Sequence, residues 1–284
     1  MSHAPAPLPD ELGDAFSVRS AVAAGVSPGR LRHRGLITPF HGTRMIATRP
    51  HGPVDADESP VAREAKILIA ELLQRSRAFA QIMPETWFLC GATAAVRYGL
   101  PVPLRVLRRM LRDRREAGRI VPARGIDVGA FAPQRSSRAA GVRGRRLSPR
   151  LVTVRTVDGI RLSSPVSTWA MLADELTVDE LIDLGDAIVH IPRRRGMTRG
   201  TPEDALGTVA QLTAAANAPY RPHAGRLQEA AAQIRVGSAS VSETRTRLGC
   251  ARDGLPEPEL DYDVSEPMAS PSAIPSSRTR GGAS

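Results

Sequence analysis

The 284-residue sequence has few cysteines, few aromatic residues and a single lysine. The two cysteines, Cys90 and Cys250, stand in no metal-ligand spacing, so we expect reduced thiols in a cytoplasmic protein. The six histidines never pair at helical spacing, and no CxxC occurs, which argues against a metal site. The nucleotide-loop and GxSxG motifs are missing too, so the sequence supports neither a cofactor nor serine hydrolysis.

Long apolar runs are also missing, both at the amino terminus and elsewhere. We therefore expect no signal peptide and no membrane partner. Hydrophobic residues make up 42% of the chain but aromatic residues only 4%, which favours aliphatic cores built from helices. The length allows about two domains. The predicted fold class is α+β and mainly helical, with a small β-sheet in a middle domain.

Two short helices around a glycine turn, followed by a small hairpin, are predicted within residues 14–49. Ser17 and Ser27 can each cap a helix, and Gly25 can end the first one. The second helix is expected to run as far as Gly35, after which the pattern becomes extended and turns back. This order of elements predicts a winged helix-turn-helix.

The charge of this N-terminal stretch suits a polyanion, because residues 16–49 contain six arginines and no acidic residue. On this interpretation the second helix would enter the major groove and Arg44 on the wing would contact backbone phosphate. The alternative is an ordinary helical hairpin whose arginines are solvated. The predicted DNA-binding residues are Ser27, Arg30, Arg32, His33, Arg34 and Arg44.

A second basic segment lies in the middle of the chain. Residues 104–150 contain fourteen arginines and three acidic residues, whereas the whole chain carries a net charge of +10. Concentrated charge of this kind predicts phosphate binding. The alternative is a solvated helix or a mobile insertion at 104–124. The predicted phosphate contacts are Arg105, Arg108, Arg109, Arg112, Arg115, Arg143, Arg145 and Arg146.

The remaining elements are read from caps and periodicity. Pro60 is expected to begin a helix that runs to about Ala80, and a basic loop is expected at 133–146. Strands are expected at 126–131, 151–156 and 160–162, and Asp158–Gly159 is predicted to form the hairpin turn between the last two. The later helices are expected to begin near Ser164, Thr177, Pro202 and Ala224, with Thr177 and Glu180 forming a capping box. Asp186 is interpreted as a local polar contact. The expected divisions are a disordered segment at 1–13, the winged helix at 14–49, a linker at 48–59, an α+β domain at 60–235 with the insertion at 104–124, a nuclease-like remnant at 238–264 and a disordered tail at 265–284.

Several blocks of the sequence resemble a known family in the same order. The stretch FSVRSAVAAGVSPGRLRHRGLITPFHGTRMIA is similar to the N-terminal winged helix of AbiEi-type antitoxins of type IV toxin-antitoxin systems. FLCGATAAVRYGLPVP, DGIRLSSPVSTWAMLADEL and LIDLGDAIV resemble later blocks of related actinobacterial proteins. The resemblance covers about residues 16–264 and implies an antitoxin-like transcriptional autoregulator with a possible cognate toxin. The insertion at 104–124 departs from the pattern.

The last block, SVSETRTRLGCARDGLPEPELDYDV, resembles the opening of a Vsr-like endonuclease domain. In such domains a helical glutamate, here Glu243, joins acidic residues of later strands to hold Mg²⁺. The sequence after Val264 has no acid beyond Glu266, and it is read as disorder or an altered reading frame. We therefore interpret Glu243 as vestigial and expect no metal and no cleavage.

Three functions follow as alternatives. The first is a non-catalytic regulator that binds double-stranded DNA. The second is a Mg²⁺-dependent endonuclease, which the missing acidic strands argue against. The third is an interaction protein whose helical middle, residues 165–234, binds a toxin.

Overall fold

The computed structural model describes residues 6–46, 58–116, 119–192, 201–258 and 260. The predicted tail at 265–284 lies outside these residues, as do most of the predicted linker at 48–59 and positions 193–196 of the basic IPRRRG sequence. The described chain is an α+β structure. Its helices are α1 (Val18–Ala23), α2 (Pro28–Leu31), α3 (Pro60–Ala80), α4 (Gly91–Arg97), α5 (Leu104–Leu111), α6 (Pro165–Met171), α7 (Val178–Val189), α8 (Val209–Ala216), α9 (Ala224–Gln233) and α10 (Val241–Arg252).

The strands form three sheets. They are β1 (Ala15–Ser17), β2 (Leu36–Ile37), β3 (Thr43–Ile46), β4 (Trp87–Leu89), β5 (Arg114–Glu116), β6 (Arg119–Val121), β7 (Ile126–Phe131), β8 (Val142–Leu147), β9 (Val154–Val157) and β10 (Ile160–Ser163). The sheet orders are β1-β3-β2, β8-β7-β4-β10-β9 and β5-β6. Short 3₁₀ turns lie at Asp10–Leu12, Leu172–Asp174 and Pro202–Asp204.

Residues 6–46, called here the N-terminal element, form a small unit with its own core. The Ser17 side chain accepts from the Ser20 amide to cap α1, and the Ser27 side chain accepts from the Arg30 amide to cap α2. Gly25 has a φ of +81° in the turn between the two helices, a conformation that suits glycine. The core contains Leu12, Phe16, Ala21, Val26 and Leu31.

The N-terminal element packs against the rest of the protein through α3. Phe40 meets Phe79 of α3 edge-on, with ring centroids 5.0 Å apart, and Phe79 stacks on Trp87 of β4. Strands β1 and β3 also contact α3. A continuous aromatic contact therefore links the N-terminal element to the five-stranded sheet.

The five-stranded sheet and the helices after it share one large core. β7 pairs with β8 in parallel and with β4 in antiparallel, while β4 and β10 are parallel. Trp169 of α6 is fully buried and its Nε1 donates to the Leu181 carbonyl of α7 at 2.9 Å. The predicted capping box at Thr177 and Glu180 is present at the start of α7. Leu248 of α10 belongs to the same core.

Several predicted boundaries were wrong. Residues 6–13 are not disordered along their whole length, because Leu12 is buried against Phe16. Helix α2 ends at Leu31, not at Gly35, and the chain turns there. The predicted basic loop at 133–146 includes most of the edge strand β8. The three arginines in its sequence, VRGRRL, obscured the apolar pattern that would predict a strand. Strand β9 starts at Val154 rather than Leu151, and Pro202 begins only one 3₁₀ turn.

Candidate nucleic-acid interface

Three arginines of the N-terminal element have exposed side chains. Arg19 lies on α1, and Arg32 and Arg34 lie in the turn that follows α2. Arg32 Nε donates to the Pro28 carbonyl at 3.2 Å, while Arg19 and Arg34 have no hydrogen bond or ion pair to any described residue. These guanidinium groups are therefore available to an external acceptor.

Arg30 and Arg44 are used inside the protein. Arg30 Nε donates to the Ala6 carbonyl at 2.7 Å. Arg44 Nε donates to the Leu31 carbonyl at 2.8 Å, and its Nη1 donates to the Thr43 carbonyl at 2.7 Å. Arg44 thus ties β3 to the end of α2, and two of its three nitrogens already donate to carbonyl groups of the protein. A sequence pattern cannot distinguish an arginine that satisfies nearby carbonyls from one that is free.

His33 and Ser27 have local roles as well. Ser27 is the helix cap, so its hydroxyl oxygen is already engaged. His33 is half-buried, and its Nδ1 accepts from the Gly35 amide at 3.1 Å. In the neutral imidazole this contact assigns the hydrogen to Nε2, which leaves one donor for an outside partner.

Most of the predicted phosphate contacts in the middle segment are paired with acidic residues of the same protein. The acids come from α3, from α7, and from the turn between α6 and α7. These pairings were not predicted, because a charge count along the sequence does not include acids that come from elsewhere in the fold. The pairs are Arg105–Glu180, Arg108–Glu64, Arg109–Glu175, Arg112–Glu71, Arg143–Glu175 and Arg145–Asp174.

Two of the predicted contacts differ from the others. Arg115 on β5 and Arg146 on β8 are exposed, and neither has a partner among the residues that the structure covers. Eight phosphate contacts were predicted in the middle segment. Arg115 and Arg146 are the two whose guanidinium groups could bind a phosphate without breaking an ion pair to a described residue.

Glu175 is the centre of a cluster of charged side chains. Its side chain is 5% exposed and contacts Arg109, Arg124 and Arg143. Burial raises the pKa of Glu175, but the hydrogen bond from Arg143 and the nearby arginine charges outweigh it, so the net shift is downward. This cluster joins α5, β8 and the turn after α6, and we assign it a structural role.

Asp127 on β7 lies beside this cluster and behaves differently. Its carboxylate accepts from the Ala92 amide at 3.1 Å and lies 3.6 Å from Arg143 Nη1. Burial raises the pKa of Asp127 to about 6, although the charges of Arg143 and Arg145 oppose the shift. Asp127 and Glu175 thus share Arg143, which links β7 and β8 to the turn after α6.

Glu243 takes part in the start of α10. Its Oε2 accepts from the Ala239 amide at 2.8 Å, and its own amide donates to Ser240 Oγ at 3.2 Å. Within the described ranges, no group of three or more His, Cys, Asp or Glu side chains could hold a metal ion. The contacts of Glu243 are those of a helix-start residue.

No protein-family model matches the chain, and the curated proteins contain no match to it. Among the helices that the structure describes, none has the length and apolar character needed to cross a bilayer.

The contacts between α7 and α10 were not predicted from the sequence. Asp179, Asp183 and Asp186 recur along α7. Arg245, Arg247 and Arg252 of α10 are spaced to meet them. Arg245 Nη2 is 2.5 Å from Asp183 and its Nη1 is 3.1 Å from Asp179. The complementary spacing of acids and arginines on the two helices was the signal that could have revealed this interface.

Proposed function

We propose that the protein is a non-catalytic, DNA-binding regulator of the antitoxin type, and that its N-terminal element is a winged helix-turn-helix. The main support for this proposal is that Arg19, Arg32 and Arg34 are exposed on one small, capped element, which has no acidic residue between positions 16 and 46. A strand order of β1-β3-β2 around two helices supports the winged assignment. The regulator and antitoxin parts rest also on the resemblance of the sequence blocks.

The proposed contacts follow from this geometry. Arg32 and Arg34 lie two positions apart in the turn after α2 and both side chains are exposed, so we propose that they contact the same groove of a duplex. The Arg44 contacts hold the hairpin against α2, so the two parts would approach DNA as one rigid piece. Arg146 and Arg115 would add backbone contacts only if the duplex extends over the middle domain.

The alternative of a Mg²⁺-dependent endonuclease has less support. Glu243 is engaged at a helix start, and no described carboxylate joins it in a cluster. Phosphodiester hydrolysis by this route needs several acids around the metal. The toxin-binding alternative has no specific observation in its favour.

The test is fluorescence anisotropy of the full chain with labelled duplexes from the region upstream of its own gene, at several salt concentrations. Each phosphate contact contributes about −0.9 to the slope of log affinity against log salt. Arg32→Ala/Arg34→Ala should make the slope shallower by about 2 if both side chains contact phosphate.

The matched control is Arg108→Ala/Arg112→Ala, which removes the same charge from arginines paired with Glu64 and Glu71. We expect the control to change affinity less than about threefold, since these two side chains would have to give up their ion pairs to contact DNA. Equal losses in both variants would show that only net charge matters, and absence of binding at low salt would reject the function.

A further inference from the structure

A large cavity lies where the N-terminal element, α3, α4 and the β9–β10 turn meet. Its volume is about 670 Å³, which is within the range of small-molecule sites. Three arginines line it from three different elements, namely Arg77 of α3, Arg97 of α4 and Arg161 of β10. None of the three is among the binding residues predicted from the sequence.

Arg97 is the unusual member of this group. Its side chain is only 7% exposed, yet Nε and Nη1 have no hydrogen-bond acceptor among the described residues. Its one charged contact is Asp158, at 3.9 Å from Nη2, and the Asp158 side chain is 85% exposed. A solvated carboxylate at that distance contributes little, so the buried guanidinium is poorly compensated.

The surroundings of Arg97 add to this imbalance. Burial lowers the pKa of Arg97, and the positive charge of Arg77 lowers it further. Arg77 and Arg161 have no ion pair to any residue that the structure describes. The acidic residues of the lining, Asp14, Glu85 and Asp158, are all exposed. The acidic side chains of the lining are therefore solvated, whereas its buried charged side chain, that of Arg97, is positive.

We propose that this cavity binds the phosphoryl group of a small phosphate-bearing molecule, with Arg97 as the buried contact and Arg77 and Arg161 as flanking contacts. Guanidinium groups bind phosphate oxygens through paired hydrogen bonds, which suits a site supplied by three arginines. The volume exceeds what a single phosphate needs, so it leaves room for an organic group of mononucleotide size. The phosphate could also come from free inorganic phosphate.

A ligand in this cavity would also affect how the N-terminal element is held against the rest of the protein. Gly13 and Ala15 of the N-terminal element form part of one wall, and Gly159 of the β9–β10 turn forms part of another. A bound molecule would contact both parts of the protein at once. It would therefore stabilise the N-terminal element against the five-stranded sheet.

Isothermal titration calorimetry of the full chain at constant ionic strength tests the site with three probes: inorganic phosphate, adenosine 5′-monophosphate and adenosine. We expect the two phosphates to bind and adenosine not to bind. Tighter binding of the monophosphate than of inorganic phosphate identifies an organic phosphate as the ligand class. Equal binding identifies the free anion. Absence of binding by both phosphates overturns the proposal.

Variants separate this site from general salt effects. Arg97→Met should weaken phosphate binding by about tenfold or more, the loss expected for charge-assisted hydrogen bonds. If Arg97→Met does not fold, the variant Arg77→Gln/Arg161→Gln tests phosphate binding at the same site and leaves the buried Arg97 in place. The control is Arg138→Gln/Arg155→Gln, which removes the same charge from exposed arginines outside the cavity. Equal binding in Arg77→Gln/Arg161→Gln and in the control overturns the proposal. No DNA is present, so the result is independent of the DNA-binding test.

Discussion

The buried ion pair between Asp186 of α7 and Arg247 of α10 gives the sharpest stability prediction. Their side chains are 1% and 3% exposed, and Arg247 Nη2 lies 2.9 Å from Asp186 Oδ2. Asp186 also accepts from the Arg235 amide at 2.8 Å and from Thr244 Oγ1 at 2.9 Å. The carboxylate therefore has three donors.

We expect removal of the Asp186 carboxylate to lower the free energy of unfolding more than removal of the Arg247 guanidinium. Removing Asp186 leaves Arg247 with a distant contact to Glu257 at 3.5 Å, while its Nε already lacks an acceptor. We expect Asp186→Ala to cost about 3–5 kcal/mol of unfolding free energy, the usual penalty for stranding a buried charge. Arg247→Met leaves Asp186 with two donors and an apolar neighbour of similar length, so we expect about 1–3 kcal/mol.

Urea unfolding of both single variants and of the double variant measures these energies. The double variant should cost less than the sum of the singles by at least about 1 kcal/mol, because it strands no charge. Equal costs for the two single variants, with simple additivity in the double, would refute the argument that the arginine depends on the aspartate.

Two further predictions concern the sheet. The raised pKa of Asp127 means that the folded carboxyl binds its proton more tightly than the unfolded one, so its contribution to stability falls as pH rises from about 4 through about 6. Urea unfolding should show Asp127→Asn gaining about 3 kcal/mol on the wild type between pH 3.5 and 7, and a constant difference would contradict this. In thermal unfolding, Gly125→Ala should cost more than about 4 kcal/mol, because a Cβ at φ +76° would lie 1.8 Å from the Gly141 carbonyl oxygen. Gly159→Ala, at φ +73° in open space, should cost only about 1 kcal/mol, and similar losses would exclude the clash.

Local signals predicted much of the fold. The helix at Pro60–Ala80, the strand at Ile126–Phe131 and the Thr177 capping box were all confirmed, because caps, proline positions and periodicity act within a few residues. The Asp158–Gly159 turn was also confirmed, and both residues have positive φ, as a tight two-residue hairpin requires.

The candidate site was harder to predict, because the use of an arginine depends on partners that are distant in sequence. Arg108 meets Glu64 across 44 positions, and Arg105 meets Glu180 across 75. Arg44 reaches a carbonyl 13 residues away. Local net charge therefore overestimated the free positive surface of the middle segment, and Arg97 lay in a helix with no charge pattern to draw attention to it.

The docking of α10 on α7 has a consequence for any shortened form of the protein. The arginines of α10 balance the charge of three aspartates on α7 that lie within eight positions of one another. A chain cut before Ser240 would leave those carboxylates facing water and one another along a single helix, with Leu248 missing from the core beside them. Such a fragment should unfold more readily at low salt than at high salt, since dissolved cations would then have to replace the missing guanidinium groups.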